Sequence, residues 1–176
     1  MKKIVFILLC SLPILAGNLT LKEGFVAAHT EMMMDSTIDP LNNNLSADIT
    51  MQGNDLLSLR GKLSVEMGLF VSDNSDRDEH MDEATQVETY PLASYSITNV
   101  TKAEGENNYV LEGTLDFHGT QNPLSFNAEI IEEEQTVTIN ATSMILVSEY
   151  DLEMPCMMFM CVRDQVDLFA KAVLSK

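Results

Sequence analysis

The sequence predicts an all-β chain that closes into an antiparallel barrel of about eight strands with one short helical insertion. Three observations carry this expectation. Apolar and polar residues alternate at period two in one run after another, turn-forming clusters separate the runs, and a single charge-dense segment breaks the pattern.

In chain order, Phe25 to Met34 begins a strand. Leu45, Ala47, Ile49 and Met51 then alternate with polar residues, and Leu63, Val65, Met67, Leu69 and Val71 extend the same alternation over a long third run. Asp73 to Glu88 differs: it is dense in charge and poor in β-branched residues. Ser75 or Asp76 can cap a short helix there, Met81, Ala84 and Val87 form one apolar stripe, and Pro91 ends it. Alternation resumes at Tyr109-Leu111-Gly113-Leu115-Phe117, Leu124-Phe126-Ala128-Ile130 and Val137-Ile139-Ala141. It ends with Val162 to Leu174, where Val166, Leu168, Ala170 and Ala172 share a face. The turn signals are Asp39-Pro40, Gly53-Asn54, Glu104-Gly105, Gly119 to Pro123 and Glu132 to Glu134. Connections of hairpin length imply an antiparallel sheet. Seven or eight strands with one apolar face each fit a sandwich or a barrel, and closure favours the barrel because it removes exposed edges.

Residues 1–16 read as a bacterial signal peptide: Lys2 and Lys3, an apolar run from Ile4 to Leu12 too short to span a bilayer, then Pro13 and small residues for cleavage. The expected mature chain, residues 17–176, is one periplasmic domain with no integral membrane segment. The whole chain carries 27 acidic against 10 basic residues, and without the leader 27 against 8, a net charge of −19. Such a surface excludes non-specific nucleic-acid binding, which needs clustered cations. It also excludes docking on anionic lipid through a polybasic patch. A homodimer stays open.

Catalytic patterns are missing: no Gly-x-Ser-x-Gly elbow and no phosphate-binding glycine loop occurs, and no enzyme activity is expected. His29, His80 and His118 lack the spacing of metal ligands. The segment 154–161, Met-Pro-Cys-Met-Met-Phe-Met-Cys, offers soft ligands, so a haem- or copper-binding protein is the alternative reading. Cys156 and Cys161 are the cysteines of the mature chain. A disulfide between them requires residues 155–160 to turn, because five residues of extended strand would hold them about 16 Å apart.

Arg77-Asp78-Glu79-His80-Met81 followed by Tyr90-Pro91-Leu92-Ala93-Ser94-Tyr95 resembles the Arg-Asp-x-His-Leu … Tyr-Pro-x-Ile-x-Phe signature of the YceI-like family. Gly113 to Thr120, with His118 and Gly119, resembles its Gly-x-Leu-x-x-His-Gly-Val turn, and Val162 to Leu168 resembles its terminal strand. The likeness covers roughly residues 20–174. It implies an extended lipocalin-like barrel of eight strands with a helical insertion. It also implies an isoprenoid quinone, a polyprenyl chain or a similar fatty amphiphile held inside, with no cofactor. The N-terminal family pattern is present only in part, at Phe25 to His29, and the Met- and Cys-rich stretch departs from it. The matched polar residues Arg77, Asp78, His80 and His118 read as structural: Arg77 pairs with Asp78 or another carboxylate, and the two histidines anchor the insertion and a hairpin. The ligand is expected to meet Val65, Met67, Leu69, Tyr95, Leu115, Phe117 and Phe126, with Met157 and Phe159 near the mouth.

Overall fold

The computed structural model describes residues 16–32, 36–153, 156–157 and 160–176. The expected leader lies outside these residues except for Ala16. So does the Phe159 ligand contact, and of Met157 only the backbone is described.

Among the described residues five strands precede the helix: β1 (Ala16–Met32), β2 (Ser36–Ile38), β3 (Leu41–Asn42), β4 (Ser46–Gln52) and β5 (Asp55–Glu66). Helix α1 (Ser75–Ala84) follows. Then come β6 (Leu92–Lys102), β7 (Asn108–Phe117), β8 (Thr120–Glu132), β9 (Thr136–Leu146), β10 (Cys156–Met157), β11 (Met160–Cys161) and β12 (Gln165–Ser175). Eight of these strands form a closed antiparallel barrel in the order β1-β4-β5-β6-β7-β8-β9-β12, with β12 returning to β1. The expected closed barrel forms, and the structure puts three of its long strands before the helix and five after it.

The helix starts where its backbone donors find an acceptor. The Asn74 side chain takes hydrogen bonds from the N–H groups of Asp76 and Arg77, at 3.0 and 3.2 Å. Asn74 is therefore the cap, rather than Ser75 or Asp76. Pro123 was expected in a turn but lies inside β8, opposite Thr114. The turn is the two residues His118 and Gly119, both with positive φ, a type I′ hairpin. With Phe117 and Thr120 closing it, Thr114 and Pro123 are a pair that exchanges no ladder hydrogen bonds. The proline nitrogen thus points towards β9, which pairs with β8 only from Asn127 onward, so no ladder bond is lost.

The two ends of the barrel differ. At the end holding the β4–β5, β6–β7 and β8–β9 turns, the interior is solid. Ile49, Leu59, Ile130, Val137 and Leu174 are each no more than 1% exposed there. At the other end neighbouring strands part. After Leu19, β1 leaves β4 and runs along β12, and β8 is unpaired with β9 before Asn127. The second gap is bridged by side chains: Ser143 Oγ donates to the Ser125 carbonyl at 2.8 Å, and Asn122 donates to the Glu149 carbonyl at 2.7 Å. The first gap is filled by Leu45 and flanked by Asn42. Asn42 is fully buried, donating to the Glu66 carbonyl and accepting from the Asn44 N–H, both at 2.8 Å.

Candidate functional site: a half-hollow barrel

Above the solid end lies a cavity of about 1040 Å³, lined by barrel-strand residues, by the segments before and after them, and by α1. Ala141 on β9 and Ala170 on β12 line it and are direct cross-strand partners, and Ala128 on β8 pairs with Ala141, so a row of methyl groups crosses three strands at one level. Nothing on that wall reaches the middle of the barrel. Below the row, the larger Ile130, Ile139, Val137 and Leu174 fill the interior.

Val65, Met67, Tyr95, Leu115, Phe117 and Phe126, which the sequence reads as facing inward, all line the cavity. Tyr95 is held in place. Its hydroxyl lies 2.9 Å from the carbonyls of both Leu111 and Leu124, and its ring meets Phe126 edge-on at 4.8 Å. The ring crosses Gly113, where a Cβ would stand 2.7 Å from it and 2.2 Å from the Ser96 carbonyl, so no side chain fits at Gly113. Burial pushes the Tyr95 hydroxyl far above the ordinary tyrosine range, with the Glu112 charge adding to the effect. It is a fixed neutral donor and not a proton-transfer group.

Leu69 is a correction. It is 40% exposed and does not line the cavity. Strand β5 ends at Glu66 and residues 67–69 form a 3₁₀ turn, which ends the period-two alternation. Met67 and Phe70 point inward instead, and Val71 is exposed.

The polar motif residues frame the cavity. Arg77 does not pair with Asp78. It donates to the Thr37 carbonyl at 3.1 Å and faces the Asp73 carboxylate at 3.8 Å, which ties α1 to β2. Asp78 accepts from the Ser72 N–H at 2.9 Å, steadying the approach to the helix. His118 is buried, and its Nδ1 donates to the Tyr150 carbonyl at 3.0 Å. That carbonyl can only accept, so Nδ1 carries the proton. Tyr90 packs on the same ring at 4.4 Å between centroids, and its ring also covers Gly119. His118 thus anchors its hairpin to the segment after β9, as expected. His80 is different: it is exposed on α1 and borders the cavity, and its ring has no hydrogen bond among the described residues. No group of three or more His, Cys, Asp or Glu suited to a metal ion occurs among the described residues.

Sequence reasoning missed the rim pair His29 and Asp39, joined at 2.5 Å where β1 meets β2. The hydrogen bond to Asp39 raises the pKa of His29, and the charges of Asp39, Asp167 and Glu31 add to this. Bonds from His29 and Thr37 lower that of Asp39. The raised histidine favours the folded hairpin fully below its unfolded pKa of about 6.5, and this is lost as pH rises through its folded value. The lowered carboxylate contributes above about pH 4 and is lost as pH falls through its own folded value. The stability difference between the parent and His29→Gln is therefore expected to be largest between about pH 4 and 6.5 and to shrink on both sides. Urea titrations of both proteins across that range measure it; a difference independent of pH removes the pair from the account.

A family model described as the YceI-like domain matches residues 15–174. The chain belongs to the YceI-like family. Among solved structures, BcnA of Burkholderia cenocepacia is similar at a TM-score of 0.74 and 15% identity, over 85% of this chain and 95% of that one. A polyisoprenoid binding domain from Saccharophagus degradans, described as implicated in plant cell wall breakdown, gives 0.67 and 15%, over 90% and 97%. The Campylobacter jejuni YceI protein gives 0.64 and 13%, over 100% and 91%. Comparison with curated proteins finds no match. At these identities the structural likeness establishes the eight-stranded barrel fold. No described helix is long and apolar enough to cross a membrane.

Proposed function

We propose that this protein is a periplasmic binding protein, without catalytic activity, that holds one long apolar chain, isoprenoid or fatty, in the hollow half of the barrel. The observation that carries the reading is the cavity: about 1040 Å³ of apolar space above a solid floor, inside a barrel that gains nothing for folding by leaving it empty. At roughly 30 Å³ per water-sized group it has room for about 35 non-hydrogen atoms, or about seven five-carbon isoprene units. The polyisoprenoid binding domain of Saccharophagus degradans, built on the same fold, supports an isoprenoid occupant. The test is organic extraction and mass spectrometry of protein recovered from a bacterial periplasm. One chain lipid per protein is the expected result; a clean extract together with no uptake of added polyprenol overturns the reading.

The same preparation tests the leader and the cysteines. Its intact mass is expected to start near residue 17. Strands β10 and β11 place Cys156 opposite Cys161, outside the closing pair Met157 and Met160. Directly opposed residues of an antiparallel pair have Cα atoms about 4.5–5.5 Å apart, a separation that supports a disulfide. Thiol titration of the unfolded protein is expected to find no free thiol. Reduction is expected to cost about 2 kcal/mol, as suits a six-residue loop. Two free thiols would reject the bridge and favour the soft-metal alternative.

A further inference from the structure

The alanine row has an outer side as well. The methyl groups of Ala170, Ala141 and Ala128 point inward, so their backbone is the bare floor of a cleft of about 700 Å³ on the outside of the barrel. Strand register builds its banks. Phe25, Lys171, Asn140, Glu129 and Asn108 are successive cross-strand partners from β1 to β7 and form one bank. Phe169 and Asn127 stand on the other, two residues along from Lys171 and Glu129. Residues two apart on a strand are separated by about 7 Å, and four strand spacings of about 4.8 Å make the cleft roughly 19 Å long. Glu104, in the β6–β7 turn, borders its far end.

We propose that this cleft binds an uncharged oligosaccharide, laid across the strands with one sugar face on the Phe169 ring. The site lies outside the barrel and stands independently of the lipid-binding reading. Phe169 is 44% exposed and Phe25 is half-buried, so one end of the cleft presents two aromatic surfaces. The C–H face of a pyranose is apolar and covers such a ring, while its hydroxyl edge needs partners that both donate and accept. Primary amides do both, and Asn127 is exposed on the bank. Asn140 gives one N–H to Glu129 at 3.4 Å, and its carbonyl and second N–H make no hydrogen bond among the described residues. Other chains fit poorly. An extended peptide needs ladder partners, and the N–H and C=O groups of the floor are already taken by the strands on either side. A hydrocarbon chain would strip water from the amides and return no hydrogen bond. An anionic glycan would meet Glu129 and Glu104, while Lys171 is held by Glu23 at 3.1 Å.

Amide NMR shifts of the full mature chain, titrated with N-acetylated chitotetraose, test this. Saturable shifts are expected at residues 127–129, 140–142 and 169–171, with a Kd on the order of 1 mM or tighter. Phe169→Ala is expected to weaken binding about tenfold. Asn127→Ala, on an exposed residue of the same bank, is expected to weaken it severalfold. Met144→Ala changes an exposed outer residue of β9 that does not line the cleft, and is expected to leave the affinity unchanged. Urea midpoints of the three variants check that each is folded. A glycan that gives no saturable shift at the cleft overturns the proposal, as does one that binds the folded Phe169→Ala and Asn127→Ala proteins as tightly as the parent. Tighter binding of the deacetylated, cationic tetramer, weakening as salt is raised, would make the cleft an acidic cation site and overturn the proposal as well.

Discussion

Ala141→Trp is expected to abolish ligand retention while leaving a folded barrel. Ala141 is the middle member of the alanine row, between Ala128 and Ala170, at the level where the interior changes from solid to hollow. An indole there projects into the cavity and takes the space of the chain's inner end. Overpacking a filled core costs about 1–3 kcal/mol through displaced neighbours. Here the new atoms enter unoccupied volume, so the expected cost lies at the low end of that range. The binding loss is expected to be at least ~100-fold, about 2.7 kcal/mol, with no lipid left in the extract. Thr142→Trp is the matched control, because Thr142 is the next residue on β9 and is exposed on the outer face. Titration of both variants with a polyprenol, alongside their urea midpoints, separates binding from folding. Full-strength binding by a folded Ala141→Trp protein would place the ligand outside the barrel.

The alanine row also shows why the fold was more legible in the sequence than the site. Strand faces are a local property. Val65, Leu115, Phe117 and Phe126 each have alternating neighbours, and that alternation alone put them inside. Leu69 misled because its neighbours alternate as well. The feature that ends β5, a 3₁₀ turn whose Met67 N–H bonds to the Pro91 carbonyl, depends on a residue more than twenty positions away. Pro123 misled in the opposite direction: a strong local turn signal is harmless in a strand whose neighbour has already departed. The cavity is not local at all. Ala141 and Ala170 are ordinary small residues in two separate runs, and they line the hollow side by side because the registers of β9 and β12 bring them to one level. Asn42 was hidden differently. Within Asn42-Asn43-Asn44 it reads as loop, yet it is the member with both polar ends satisfied in the interior. The rim charges stand between these cases. The acidic excess is plain in the composition, but the hold of Thr37 and Asp73 on Arg77 needs the folded chain.

The solid end predicts the largest loss of stability. Ile130 is 1% exposed and pairs with Ile139, and it packs into the same buried core as Val137 and Leu174. Ile130→Asp would bury a carboxylate there with no cation or hydrogen-bond donor provided for it. A group so placed either stays charged against a large desolvation cost or takes up a proton, and each route costs folding free energy. The expected loss is about 4 kcal/mol or more, in the range reserved for unpaired buried charge. Against a typical stability of 5–15 kcal/mol, that leaves a marginal protein. Part of the loss is expected to return at acid pH, because a carboxyl whose pKa is raised on folding costs less once the unfolded chain is protonated too. Ile130→Val removes one methylene from the same place and is expected to cost only about 1 kcal/mol. Urea denaturation of the three proteins at neutral and acid pH measures both effects. An Ile130→Asp protein as stable as its parent would mean that water reaches the interior of this end. The hollow would then run the length of the barrel, and the division into a half that holds the fold together and a half that holds the ligand would fall.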